Sequence, residues 1–200
     1  VSNKVEIAPQ IGGTSMKIWK RFLALGLVTI ITAMMFVGCG SSDISEGVAK
    51  NDYPITINGV TLNSQPTGVA VLSQNIADVI LTGGFEATLK AKSEDCTQED
   101  LSILPNLTID DVQEMKNLGV TLVLVDAAPT EQQTAALEAQ GIQVLAISPA
   151  KSRDDCKRLY REVGSAMVGG NTGYTKGEKA CDNVFYTLDD ITRLVPSTGT

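Results

Sequence analysis

Four short stretches carry the polar side chains best suited to chemistry: Ser73-Gln74-Asn75, residues 93–97 with Glu94 and Asp95, residues 126–130 with Asp126 and Thr130, and residues 148–152 with Ser148. Hydroxyls, amides and carboxylates of this kind hold ligands through hydrogen bonds and charge. Covalent catalysis asks for more, since a nucleophile needs a partnered base. The chain has no His, which removes the usual general base, the His-containing triads and most zinc sites. G-x-S-x-G, G-x-G-x-x-G and G-x-x-x-x-G-K-[ST] are all missing. A small α/β enzyme would have to rely on Ser73, Asp95 or Asp126, and no nucleophile–base pair is apparent among them. The expectation is therefore a protein with no catalytic residue, cofactor or metal.

The elements that position these stretches alternate regularly. Residues 53–62 (YPITINGVTL) alternate apolar and polar positions around Asn58-Gly59, a strong hairpin signal. Strands are predicted at 69–73, 89–92, 120–125 and 142–147. Between them fall helices at 76–82, 110–118 and 130–140, closed by Gly83-Gly84, Gly119 and Gly141, and a further helix spans 152–167. Apolar strands separated by helices of about ten residues define βαβ units, hence an α/β fold with a parallel sheet covered on both faces. In such sheets ligands sit beyond the carboxyl ends of the strands, which is where the four stretches fall. Helix N-termini there can hold anionic or carbonyl oxygens. Ser73 or Asn75, Thr130 and Ser152 are also favoured N-cap residues, which accounts for each singly without a ligand.

Two further groups invite chemical readings and have structural ones. Asp110-Asp111 and Asp154-Asp155 are placed in the first turns of helices, where carboxylates favour the dipole. The glycine-rich run GGNTGYTKG at 169–177 suggests a phosphate loop, but it lacks a Gly-Lys pair and a preceding strand, and reads as a loop between helices.

Cys39 calls for another chemistry. From Met16 the chain carries Lys17, Lys20 and Arg21, then an apolar run over 22–37 interrupted only by Gly26, Thr29 and Thr32, then Gly38-Cys39. This is the order of a secretory signal, and the run is short for a bilayer span of about 20 residues. FVGC at 36–39 resembles the bacterial lipobox, in which the Cys is diacylated and becomes the new N-terminus; Phe36 departs from the usual Leu. The expected organisation is an upstream extension at 1–15, a lipoprotein signal peptide at 16–39 and a flexible tether at 40–52, with the protein held through Cys39 on the outer face of the cytoplasmic membrane.

Removing residues 1–39 takes away four basic groups and one acid, leaving 12 Lys+Arg against 22 Asp+Glu, a net charge of −10. An acidic body argues against nucleic acid, whose phosphates require basic patches. The remaining 161 residues suffice for one well-buried domain. Cys96, Cys156 and Cys181 form an odd set; unpaired thiols are the plain reading, and a Cys156–Cys181 bridge is the best pairing, because both fall on predicted helices that can pack together.

The order of these segments carries a resemblance. YPITINGVTL at 53–62, VAVLS at 69–73, NIADVI at 75–80 with Gly83-Gly84, LPNL at 104–107, DDVQEMKNL at 110–118, LVLV at 122–125 and LEAQGIQVLAI at 137–147 together resemble the N-terminal lobe of ABC-transporter substrate-binding proteins for iron-siderophores, haem and cobalamin. The resemblance covers about residues 53–195. It implies two lobes joined by one long helix, a ligand in the cleft between them, and a permease and ATPase as partners. The lobe would be residues 53–175 and the start of the interlobe helix 176–200, with Ala180, Val184, Leu188, Ile191 and Val195 on one face; the second lobe would lie beyond Thr200. It further implies that an acidic residue near the start of the helix before the third parallel strand docks on the permease. Gln113 occupies that position, and Glu114, Asp110 and Asp111 are the nearest acids. The implied ligand is an iron-siderophore or similar chelate, with cobalamin second because the cleft loops hold no aromatic residue. The alternative is a membrane-anchored lipoprotein that serves as a protein-interaction module without transport.

Overall fold

The structure, a computed structural model, describes residues 52–194. Cys39, the signal segment, nearly all of the tether and Val195 lie outside the described residues.

The chain opens with an antiparallel hairpin, β1 (Ile55–Ile57) and β2 (Val60–Leu62). Its two-residue turn places both Asn58 (φ 49°) and Gly59 (φ 84°) in the left-handed region, as a type I′ connection demands. The Asn58 amide donates to the carbonyl of Ala146 at 3.0 Å and the Gln143 amide to that of Thr61 at 2.9 Å, tying the hairpin beside the sheet.

The sheet has four parallel strands, β3 (Val69–Val71), β4 (Leu89–Lys92), β5 (Leu122–Val125) and β6 (Gln143–Ala146), in the order β4-β3-β5-β6. The period of two along each strand builds two cores. Val69, Val71, Leu122, Leu124 and Leu145 face one side, against α1 (Gln74–Gly83) and α4 (Arg153–Val168), burying Ile76, Ile80, Leu159 and Val163. Ala70, Ala91, Val123 and Val125 face the other, against Met115 of α2 (Val112–Asn117) and Leu137 of α3 (Glu131–Glu138). The α/β class read from the alternating elements is the one observed.

One element departs from the reading of the sequence. The glycine-rich run is not a loop: after Gly169 (φ 112°) the chain re-enters a helix at once, and α5 runs unbroken over Gly170–Leu194. Gly173, Gly177 and Cys181, four residues apart, are its buried stripe. They face Gly164, Tyr160 and Cys156, four residues apart on α4. A Cβ on Gly173 would collide with the carbonyl oxygen of Gly164, and one on Gly177 with that of Tyr160. Glycine inside a helix costs about 1 kcal/mol against alanine, and here backbone-to-backbone packing offsets that cost. Composition alone suggested a loop because the benefit of these glycines lies in another helix.

Flanking pairs hold the same register. Arg161 pairs with Glu178, Lys157 with Asp182 at 2.9 Å, and Arg153 with Asp189 at 2.6 Å. Arg161 and Arg153 lie 4.8 Å from the ring centroids of Tyr174 and Phe185. Beyond Cys181 the helix emerges from cover, leaving Tyr186, Leu188, Ile191 and Leu194 exposed.

Candidate functional site

From β3 the chain steps to β4 on one side and later to β5 on the other, so strand order reverses between β3 and β5. Diverging loops at such a reversal open a crevice beyond the carboxyl ends of the strands. A groove of about 470 Å³ occupies that position. Leu72, Leu107, Ile109, Val125 and Pro129 supply apolar wall, while Ser93, Glu94, Asp95, Thr108, Asp126 and Gln133 supply polar groups. Every charged residue of the lining is acidic.

Asp126, the residue after β5, is half-buried and accepts a hydrogen bond from the Ser73 hydroxyl at 3.0 Å. That hydroxyl also accepts from the Ile76 backbone N–H at 3.4 Å, capping α1. Ser73 is only 3% exposed, so it orients Asp126 rather than offering itself to a ligand. Its burial, and the use of its hydroxyl as the α1 cap, leave it poorly placed to attack a ligand in the groove. Glu94 and Asp95 follow β4 and are exposed. Beneath them Lys92 is buried, its ammonium donating to the Asn106 side-chain oxygen at 2.7 Å, which braces the 93–107 loop against the strand end.

The remaining sequence-predicted residues lie outside this groove. Gln74 and Asn75 are exposed at the start of α1, and the Gln74 carbonyl accepts from the Gln98 amide at 3.3 Å. Thr130 caps α3 in a reciprocal box with Gln133. Together with Asp110, which accepts from the Gln133 amide at 3.0 Å, it lines a neighbouring hollow of about 270 Å³ that shares Ile109 and Gln133 with the groove. Ser148 is exposed after β6, its carbonyl taken up by Arg158 at 3.0 Å. The groove therefore joins Glu94, Asp95 and Asp126 directly and Ser73 through Asp126.

Asp110-Asp111 precede α2 rather than forming its first turn. Asp111 is the N-cap residue, and its carboxylate accepts from the Thr108 N–H and hydroxyl, each at 2.7 Å, which holds its pKa below the usual value. That turn brings Thr108 and Ile109 to the groove, a contribution the sequence reading missed. Its signal, Thr followed three residues later by an acid, is a common local turn pattern with no functional specificity. Asp154 and Asp155 do lie in the first turn of α4. A further hollow, of about 370 Å³, lies between the hairpin and the α4–α5 pair, and its arginines, Arg158 and Arg161, are already paired with Glu162 and Glu178.

No family model and no curated protein sequence matches the chain. Solved structures do match its fold. One is a possible iron-binding (periplasmic solute-binding) protein from Staphylococcus epidermidis, at 14% identity and TM-score 0.53, covering 68% of this chain and 54% of that one. Another is a periplasmic heme binding protein from Pseudomonas aeruginosa, at 14% identity and TM-score 0.52, covering 62% and 45%. A third is the iron uptake ABC transporter substrate-binding protein PiuA from Streptococcus pneumoniae, at 18% identity and TM-score 0.51, covering 70% and 51%. The chain spans about half the length of each of these structures. Its fold is the α/β fold of substrate-binding proteins, over the extent of one lobe.

Proposed function

We propose that this chain is the ligand-capturing lobe of an ABC importer's substrate-binding protein, working outside the cytoplasmic membrane, where lipid on Cys39 tethers it. The observation that carries this reading is the open groove at the strand-order reversal of a fold shared with periplasmic iron- and heme-binding proteins. An open half-groove suits a ligand enclosed between two lobes, with α5 as the connecting helix.

The ligand is an iron-siderophore or a similar chelate. A lining whose only charges are Glu94, Asp95 and Asp126 favours a neutral or cationic periphery and repels the carboxylates of haem. Cobalamin comes second, since no aromatic side chain lines the groove to stack on a corrin. Docking on the permease falls to the exposed acids Asp110, Asp111 and Glu114 around the start of α2, with the ATPase acting through that permease.

Calorimetric titration of the chain with a cationic ferric hydroxamate, haem and cobalamin tests the reading. Weak binding of the hydroxamate, abolished in the triple variant Glu94→Gln, Asp95→Asn, Asp126→Asn, is the expected result. Tight haem binding insensitive to those substitutions would sink it. A second reading, a protein-interaction lipoprotein, draws on the exposed Tyr186, Leu188, Ile191 and Leu194 of α5. Cross-linking in membranes that recovers a partner at this helix and no permease at Glu114 would favour it.

A further inference from the structure

The α4–α5 hairpin repeats one contact at intervals of four residues. Gly164 meets Gly173, Tyr160 meets Gly177, and at the next step Cys156 meets Cys181, with sulfur atoms 3.8 Å apart. Both are free thiols here, the Cys181 S–H directed at Cys156. We propose that Cys156 and Cys181 are a redox pair that closes into a reversible disulfide, clamping the long helix onto the helix before it.

Three observations support the pair. The glycine contacts draw the two backbones together one turn away, so the thiols meet across a short gap that side-chain rotation can reduce to the ~2.05 Å of a bond. Salt bridges flanking the seam, Lys157 with Asp182 and Arg153 with Asp189, keep the helices in register as the bond forms. The thiols also differ in access: Cys156 is partly exposed, whereas Cys181 is wholly buried and its pKa is pushed up to about 12, chiefly by burial.

That difference sets the order of exchange. The oxidant is a low-molecular-weight disulfide. The Cys156 thiolate attacks one of its sulfurs, forming a mixed disulfide and releasing the first thiolate. Cys181, losing its proton as it closes, attacks the Cys156 sulfur and expels the second. The two cysteines give up two protons and two electrons, and the oxidant leaves as two thiols. Excess dithiol reverses both steps.

The test uses the whole native chain in glutathione buffers of graded poise, quenched in acid, alkylated, and mapped by mass spectrometry after non-reducing digestion; mapping separates Cys96 from the pair. The expected product is a Cys156–Cys181 linked peptide, lighter by two hydrogens and lost on treatment with dithiothreitol. Cys181→Ser is expected to accumulate glutathione on Cys156, and Cys156→Ser to leave Cys181 unmodified in the folded chain. Persistent alkylation of both thiols at the oxidising end, a lasting glutathione adduct on wild-type Cys156, or linkage of either residue to Cys96 would overturn the proposal. Should a serine variant lose its helical circular dichroism, the wild-type map decides alone.

Discussion

The strand-end groove and the helical hairpin are built on opposite plans. In the groove, side chains project from loop ends into open space, and Glu94 and Asp95 can change with little effect on neighbouring packing. In the hairpin, function rests on side chains being absent, since Gly164, Gly173 and Gly177 let one backbone lie on another. The proposed recognition thus falls where substitution is structurally cheap, and geometry where it is costly.

The largest effect that would break this contrast is expected at the seam. Gly173→Leu forces the helices apart; overpacking of this kind costs about 3 kcal/mol, which lowers the thermal midpoint by roughly 5–10 °C for a domain of this size. An unchanged midpoint in a scanning calorimeter would show that the hairpin yields and the contrast is false. Next comes Ser73→Ala, where the two plans touch. Loss of the α1 cap together with the bond to Asp126 is expected to cost about 2 kcal/mol in urea unfolding and to weaken ligand binding without altering any residue of the groove lining.

Much of this was legible beforehand. The parallel sheet and its helices are local patterns, visible in alternating apolar runs and in the caps Thr130, Ser152 and, of the pair Ser73 or Asn75, Ser73, with Asn75 inside α1. Glu94, Asp95 and Asp126 could be read because residues after parallel strands fall at one edge whatever the loops do. What escaped was non-local. The glycines at 173 and 177 make sense only beside Gly164 and Tyr160, and Ser73 faces inward because Asp126, 53 residues on, accepts its hydrogen bond.

A smaller effect tests the anchoring of the segment before β1 on α4. The Tyr53 hydroxyl donates to the Ala166 carbonyl at 3.4 Å, and burial, with nearby Asp52 contributing, pushes its pKa up to about 12. A raised phenol pKa means that the stabilising contribution is complete below the ordinary value near 10 and disappears as pH rises through about 10 to 12. Wild type is expected to lose more stability than Tyr53→Phe between about pH 9 and about pH 11; equal losses would remove Tyr53 from the anchor. The smallest structural effect belongs to Glu94→Gln with Asp95→Asn, expected to shift urea stability by about 0.5 kcal/mol or less while altering hydroxamate affinity. A large destabilisation there would mean that the groove carries the fold after all.

The four-residue spacing of the seam has one more consequence. Sliding α5 by a single turn, about 5.4 Å, would bring Gly177 opposite Gly164, one smooth patch again on another, yet would set Cys181 against the bulk of Tyr160 and separate it from Cys156. The glycines alone therefore do not choose between the two registers; the Cys156–Cys181 contact and the ion pairs beside it, across helices joined by Gly169 alone, choose this one.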